Sequence, residues 1–319
     1  MYDPKISIAY RPEVSFAGGK NFSKTPSKPQ RFLQHVSRMP ELAPFLVADK
    51  AFGPLPVEDF WLGHTKDYVH GFFRGTPRFA TSNCMDWSPE FAESVRYTNA
   101  SLCHAVDAAL LNPSRVVLSP TGGFHHARPG CGGGFCTFSG QVISAIRAYR
   151  KHGAVGAWID LDGHFGNSIE DSRKFAPVLN VCLPVNINPI GRGQVYLQDL
   201  NAKLLLLQPR VLSGEISYIA FAHGADSHEA DDLGGQLSTH EWLAASVLVY
   251  GAVHRWSQML GRPIPLVLAL FGGYREDDPS SVLALHAADL KVALIELAGV
   301  SLDNSDFKIK EKAGRHGST

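Results

Sequence analysis

The chain has 319 residues, 45% hydrophobic and 19% charged, which suits one large α/β domain with a sizeable core. Lysine plus arginine equals aspartate plus glutamate at 30 each, so the formal net charge is zero. That balance argues against a nucleic-acid binder, which carries a basic surplus, and gives no sign of a membrane-surface protein. The opening MYDPKISIAYRPE lacks the charged-then-apolar layout of a signal peptide, and no apolar run reaches membrane-spanning length. The five cysteines, Cys84, Cys103, Cys131, Cys136 and Cys182, are scattered without CxxC spacing. They read as reduced thiols, and the expected location is cytoplasmic.

In chain order, the predicted strands are ISIAY (6–10), RVVLSP (115–120), VGAWIDL (155–161), VLNVCL (178–183), ISYIAFA (216–222) and PLVLALF (265–271). Helical spacing runs through 89–111 and 240–260. Near-continuous apolar strands alternating with helices predict a parallel sheet covered on both faces. Residues 1–305 read as a single domain and 306–319 as a flexible tail.

In such sheets function gathers beyond the carboxyl ends of the strands. Four predicted strands end in chemistry there: TGGFHHARPGCGGGFCTF, DGHFGN, HGADSHEADDLGG and GGYREDD. Asp162 and His164 are two apart, so an extended chain points both to one side. With Asp226 they offer three ligands to a borderline metal and leave a position for water. A D-x-H alone is more often a helix cap or a satisfied core pair; Asp226, the two histidines and the tyrosine at the same edge favour the metal. His125 and His126 could be further ligands or a general acid/base pair. Asp160 and Asn167 stand ready to orient one imidazole each, and a carboxylate partner raises imidazole basicity. Tyr274 could stabilise an oxyanion or pack in the core. Arg31 reads equally as a buried cation or a surface arginine.

GGFHHARPGCGGGFCTFSG, IDLDGHFGN, GADSHEADDLGG and FGGY, in this order and spacing, resemble the defining motifs of the histone deacetylase superfamily. The wording is closest to its class IV branch and to bacterial relatives, and LGHTKDYV (63–70) matches a family helix. The likeness spans about residues 5 to 300. It implies the arginase/deacetylase fold: a three-layer α/β/α sandwich with a mainly parallel sheet of about eight strands. It implies a zinc-dependent amidohydrolase that removes an acyl group from an amine. Carried over by motif, Asp162, His164 and Asp226 hold one zinc ion. His126 is general base then acid, His125 its electrostatic partner, Asp160 and Asn167 orient the two, and Tyr274 polarises the scissile carbonyl. Phe135, with Gly134 beside it, walls the acyl tunnel, and Asp86 holds the substrate backbone. A structural potassium ion is implied at Asp160 with the backbone oxygens of Asp162 and His164. The implied partners are an acylated lysine in a peptide or protein, or a small acylated amine such as an acetylpolyamine.

The pattern departs from relatives at four places. Arginases carry an aspartate where this chain has Gly166, which disfavours a binuclear ureohydrolase. Phe165 replaces a common histidine, and a packing role is expected for it. The 184–215 segment is short, leaving the wall opposite Phe135 open. SKTPSKPQRF (23–32) lacks the usual rim residues, with Arg31 expected to keep its place behind the zinc.

Overall fold

Seven short strands form the frame: β1 (Ile6–Ala9), β2 (Leu46–Asp49), β3 (Val116–Ser119), β4 (Gly156–Asp160), β5 (Val185–Ile187), β6 (Tyr218–Ala222) and β7 (Leu266–Ala269). The computed structural model describes residues 1–18, 23–303, 307 and 309. The strands pair in the order β2-β1-β3-β7-β6-β4-β5, every pairing parallel. The sheet is α/β with helices on both faces, consistent with the arginase/deacetylase fold, and it has seven described strands where about eight were expected.

The central four strands, β3, β7, β6 and β4, are buried at every position. Their side chains alternate between two cores, as the two-residue pleat requires. Val116, Leu118, Ala157, Ile159, Ile219, Phe221, Leu266 and Leu268 face one core. Val117, Trp158, Tyr218, Ala220, Val267 and Ala269 face the other. The first core is closed by helices 28–36, 193–212, 239–260 and 279–298, the second chiefly by 89–111 and 140–152. Trp158, Trp242 and Trp256 are all fully buried, each worth roughly 2–3 kcal/mol of apolar burial. Where the predicted tail begins, Phe307 and Ile309 pack partly buried against the first core; the rest of 306–319 lies outside the described residues.

Local chemistry sets the helix ends. Pro89–Leu111 starts at Ser88, whose side chain accepts from Phe91 N–H. Thr239–Leu260 starts on a capping box between Ser238 and Glu241 and stops at Gly261 in the left-handed region, φ 65°. One predicted strand is wrong: 178–183 contains a helical turn, Leu179–Cys182, and the strand follows it as β5. A short apolar run does not distinguish a buried strand from a buried helical turn. The remainder of 184–215 is mostly the helix Gly193–Leu212.

A third, aromatic cluster (Phe60, Tyr68, Phe72, Phe91, Phe138) supports the glycine-rich segment after β3. Tyr68 Oη donates to Thr137 O at 2.6 Å. His64 ties the two ends of that segment together. Its Nε2 accepts from Ser139 N–H at 2.8 Å, so Nδ1 carries the proton and donates to Arg128 O at 2.9 Å. Burial lowers the His64 pKa to about 4, in keeping with a neutral ring between a donor and an acceptor.

Candidate metal centre and active site

β4 ends at Asp160, and the chain then turns so that Asp162 and His164 meet Asp226, which follows β6. His164 Nδ1 lies 3.2 Å from Asp162 Oδ1 and 3.0 Å from Asp226 Oδ2. One ligand atom from each of the three residues falls within 4.8 Å of the others. Both carboxylates are held by backbone amides: Gly272 N–H donates to Asp162 Oδ2 at 2.8 Å and Gly163 N–H to Asp226 Oδ1 at 3.0 Å. Glycine is required at 272, because a Cβ there would sit 2.4 Å from Asp226 Cγ.

Burial pushes the Asp226 carboxyl up, and the neighbouring Asp162 charge adds to this, reaching about 7. Burial also works against Asp162, but the charge of His125 and a hydrogen bond from His164 hold its carboxyl well below the usual range. The His164 imidazole is raised to about 10 by its hydrogen bonds to Asp162 and Asp226. Two buried carboxylates and an imidazole in this space match the donor set and spacing of a borderline dication.

The paired histidines sit beside this cluster with ring centroids 4.1 Å apart and planes tilted by 43°. His125 Nδ1 meets Asp160 Oδ2 at 3.1 Å, and His126 Nδ1 meets Asn167 Oδ1 at 2.9 Å. The two imidazoles thus sit in opposite electrostatic settings. Burial lowers the His125 pKa, but Asp162 and Asp160 outweigh it and raise the group to about 9. His126 is lowered to about 4 by burial and by the charge of His125. The first setting favours the imidazolium and the second the neutral ring, and the His126 ring centroid lies 6.1 Å from that of His164.

Tyr274, beyond β7, is fixed by its backbone N–H donating to Asp231 Oδ2 at 2.6 Å. Its ring lies between Phe135 (centroids 5.6 Å) and His164 (6.4 Å). Phe135 adopts φ 63° and Gly134 φ 47°. A Cβ on Gly134 would come within 2.6 Å of His126 Cδ2, so the glycine lets the main chain lie against the base. Asp86 is exposed, just past Met85, which with Phe135 lines a cavity behind the loop.

Two expectations need correction. The cation behind the cluster is Lys28, not Arg31. Lys28 is buried, its Nζ donating to the carbonyls of Phe271 and Gly272, while Arg31 is half-buried along a cavity with Tyr274 and Arg275. The lysine's four-carbon stem reaches from one turn earlier on the same helix. Phe165 does not pack inside; it is 59% exposed, projecting from the turn after His164.

Three contributors carried no assigned role in the sequence reading. Asp231 stands inside the D-x-x-x-x-D-x-L-G-G spacing and anchors the Tyr274 backbone. Gly272 is the first glycine of the GGY that follows β7. Lys28 had no sequence signal, since a lysine at a helix start reads as solvated.

The fold and the cluster define an α/β/α protein whose central strand ends converge on a candidate mononuclear metal centre flanked by paired histidines and a tyrosine. A family model described as the histone deacetylase domain matches residues 24–181, a range that holds His125, His126, Asp160, Asp162 and His164 and stops before Asp226 and Tyr274. Histone deacetylase 14, chloroplastic, of Arabidopsis thaliana is 30% identical over 43% of this chain and 34% of its own length. Histone deacetylase B of Dictyostelium discoideum is 26% identical over 37% and 30%. An uncharacterized Picosynechococcus protein is 24% identical over 72% of this chain and 80% of its own. The chain belongs to the histone deacetylase superfamily, and its matches to the first two relatives span about a third of their lengths. Among the described residues, no helix is long and apolar enough to cross a membrane.

Proposed function

We propose that this protein is a zinc-dependent deacylase that hydrolyses the amide of an acylated amine, most simply an acyl-lysine side chain. The observation that carries the reading is the meeting of Asp162, His164 and Asp226 within 4.8 Å, beside two histidines of which one is held by Asp160 and the other by Asn167. Asp162, His164 and Asp226 would hold the metal. When bound, zinc supplies Lewis acidity, bringing the pKa of a water toward about 7 and withdrawing charge from the amide carbonyl.

The rest falls to the chain's own groups. His126, neutral and held by Asn167 Oδ1 through Nδ1, presents Nε2 to take the proton of the attacking water. It then returns that proton to the leaving amine. His125, kept charged by Asp160 and Asp162, holds the His126 pKa down and stabilises negative charge developing beside it. The Tyr274 hydroxyl donates to the carbonyl oxygen as it becomes an oxyanion. Phe135 covers the acyl chain on one side, and Asp86 takes the peptide backbone at the rim. A potassium ion at Asp160 belongs to the same reading.

A single metal is favoured by Gly166: a Cβ there would already be 2.5 Å from Asp160 Oδ2, so a liganding carboxylate has no room. Acetylpolyamines are the alternative substrate. The reading is tested by assaying acyl-lysine peptides from acetyl to myristoyl together with acetylputrescine, with metal content measured alongside. Turnover that depends on bound zinc and is lost in Asp162→Ala supports it, and the favoured substrate separates the two classes. A zinc-loaded protein that cleaves none of these amides contradicts it.

A further inference from the structure

Five residues outside Asp226's own loop, Asp289, Ser246, Tyr250, His223 and Trp242, form a buried polar column that no step above uses. Asp289, on helix 279–298, accepts from Ser246 Oγ at 2.7 Å and from Tyr250 Oη at 2.7 Å, both on helix 239–260. The same carboxylate meets His223 Nδ1 at 3.1 Å. His223 directly follows β6, at the start of the metal-ligand loop. Its ring stacks on Trp242, with centroids 3.7 Å apart and planes 12° from parallel. Trp242 Nε1 donates to Gly224 O at 3.1 Å, and Ser227 Oγ shares that acceptor at 2.9 Å. All these side chains are buried.

Three donors converge on this buried carboxylate, from His223, Ser246 and Tyr250, as a buried polar group requires. The column therefore has one preferred geometry, and it terminates on a single peptide group. That peptide belongs to Gly224, which is packed closely against two of the carboxylates of the centre. A Cβ on Gly224 would lie 2.3 Å from Asp226 Oδ1 and 2.9 Å from Asp162 Oδ2. Both carboxylates lie in the space beside the Gly224 α-carbon, so a shift of the Gly224 backbone toward them would crowd both.

We propose that Trp242 and Asp289 are positioning residues for the metal centre: through His223 and the Gly224 carbonyl they fix the orientation of Asp226 and Asp162. The proposal rests on the metal reading given above. Partners one shell out from metal ligands typically govern affinity 10- to 100-fold, and this column ties that affinity to the packing of the last two long helices.

The test compares two substitutions in the same helix. Trp242→Phe removes the donor to Gly224 O. Trp256→Phe also removes a buried indole, whose Nε1 donates to Gln208 Oε1 at 3.3 Å, remote from the loop. Zinc affinity is measured by competition with a chromophoric chelator, and thermal unfolding of the metal-free proteins is followed in parallel. Trp242→Phe is expected to weaken zinc binding about 10- to 100-fold, Asp289→Asn to weaken it in the same direction, and Trp256→Phe to leave it unchanged at a comparable loss of melting temperature. Equal zinc affinities in Trp242→Phe, Asp289→Asn and wild type overturn the proposal, as does an equal weakening in Trp256→Phe. A wild-type protein that binds no zinc overturns the metal reading itself, an outcome distinct from either.

Discussion

In the proposed mechanism Tyr274 and His126 each carry one task, and a single substitution probes each. Tyr274→Phe deletes only the hydroxyl, while the backbone N–H that anchors the residue on Asp231 stays. It is expected to lower kcat about 10²–10³-fold, the usual loss for one oxyanion donor, with zinc content unchanged; near wild-type turnover of an acetyl-lysine peptide contradicts the role. Gly134→Ala tests the fit of the glycine-rich loop against His126. The new methyl would stand 2.6 Å from His126 Cδ2 in a residue at φ 47°. Misplacing a reacting group by about 1 Å costs on the order of 10²-fold. Steady-state kinetics should therefore show a kcat loss of about that size with zinc affinity retained, and unchanged kcat means the loop does not set the base. At this scale the sequence was most informative where chemistry constrains spacing. Asp162, His164 and Asp226 could be singled out because ligands two apart on a strand end have few other uses in that company. Lys28 could not, because nothing in a single sequence marks which lysine is desolvated.

His64 shows how an element is held in place. It joins Arg128 O to Ser139 N, the two ends of the segment that carries Phe135. Protonating Nε2 would set a second N–H against the Ser139 donor. The sign follows from the pKa values: about 4 in the folded protein and about 6.5 in the unfolded chain. The unfolded chain binds the proton first, so this contribution is complete above pH 6.5 and is lost as the pH falls toward 4. The full loss is roughly 3 kcal/mol by linkage. Urea unfolding at pH 7.5 and pH 5 should show the stability gap between wild type and His64→Gln narrowing at the lower pH; a constant gap contradicts it. Two long helices, Pro89–Leu111 and Thr239–Leu260, were legible from their helical spacing, and in the structure Ser88 and the Ser238–Glu241 box cap them. β2 and β5 were not. Both are sheet-edge strands of three or four residues with partly exposed side chains, so neither the apolar run nor strict alternation marks them. The helical turn at 179–182 took the apolar pattern instead.

The whole molecule places four buried, parallel strands side by side so that their carboxyl ends meet at one point. Leu268, in β7 at the middle of the sheet and 2% exposed, should report on that frame. Leu268→Ala is expected to cost about 2–5 kcal/mol in urea unfolding, and a loss well under 1 kcal/mol would show that the central strand is not tightly packed. Sequence could indicate the layers, since alternating strands and helices dictate a covered parallel sheet. It could not give the order β3-β7-β6-β4, because strand neighbours distant in the chain leave no periodic trace. That order is what brings Asp226 and Gly272 against Asp162. The central claim is that one metal ion at that junction enables amide hydrolysis. Its most direct test is to strip the protein with a chelator and add zinc back stepwise while following amine release from an acetyl-lysine peptide. Activity should rise with zinc and level off at one equivalent per chain. Turnover that survives complete stripping, or that requires two equivalents, contradicts the mononuclear centre.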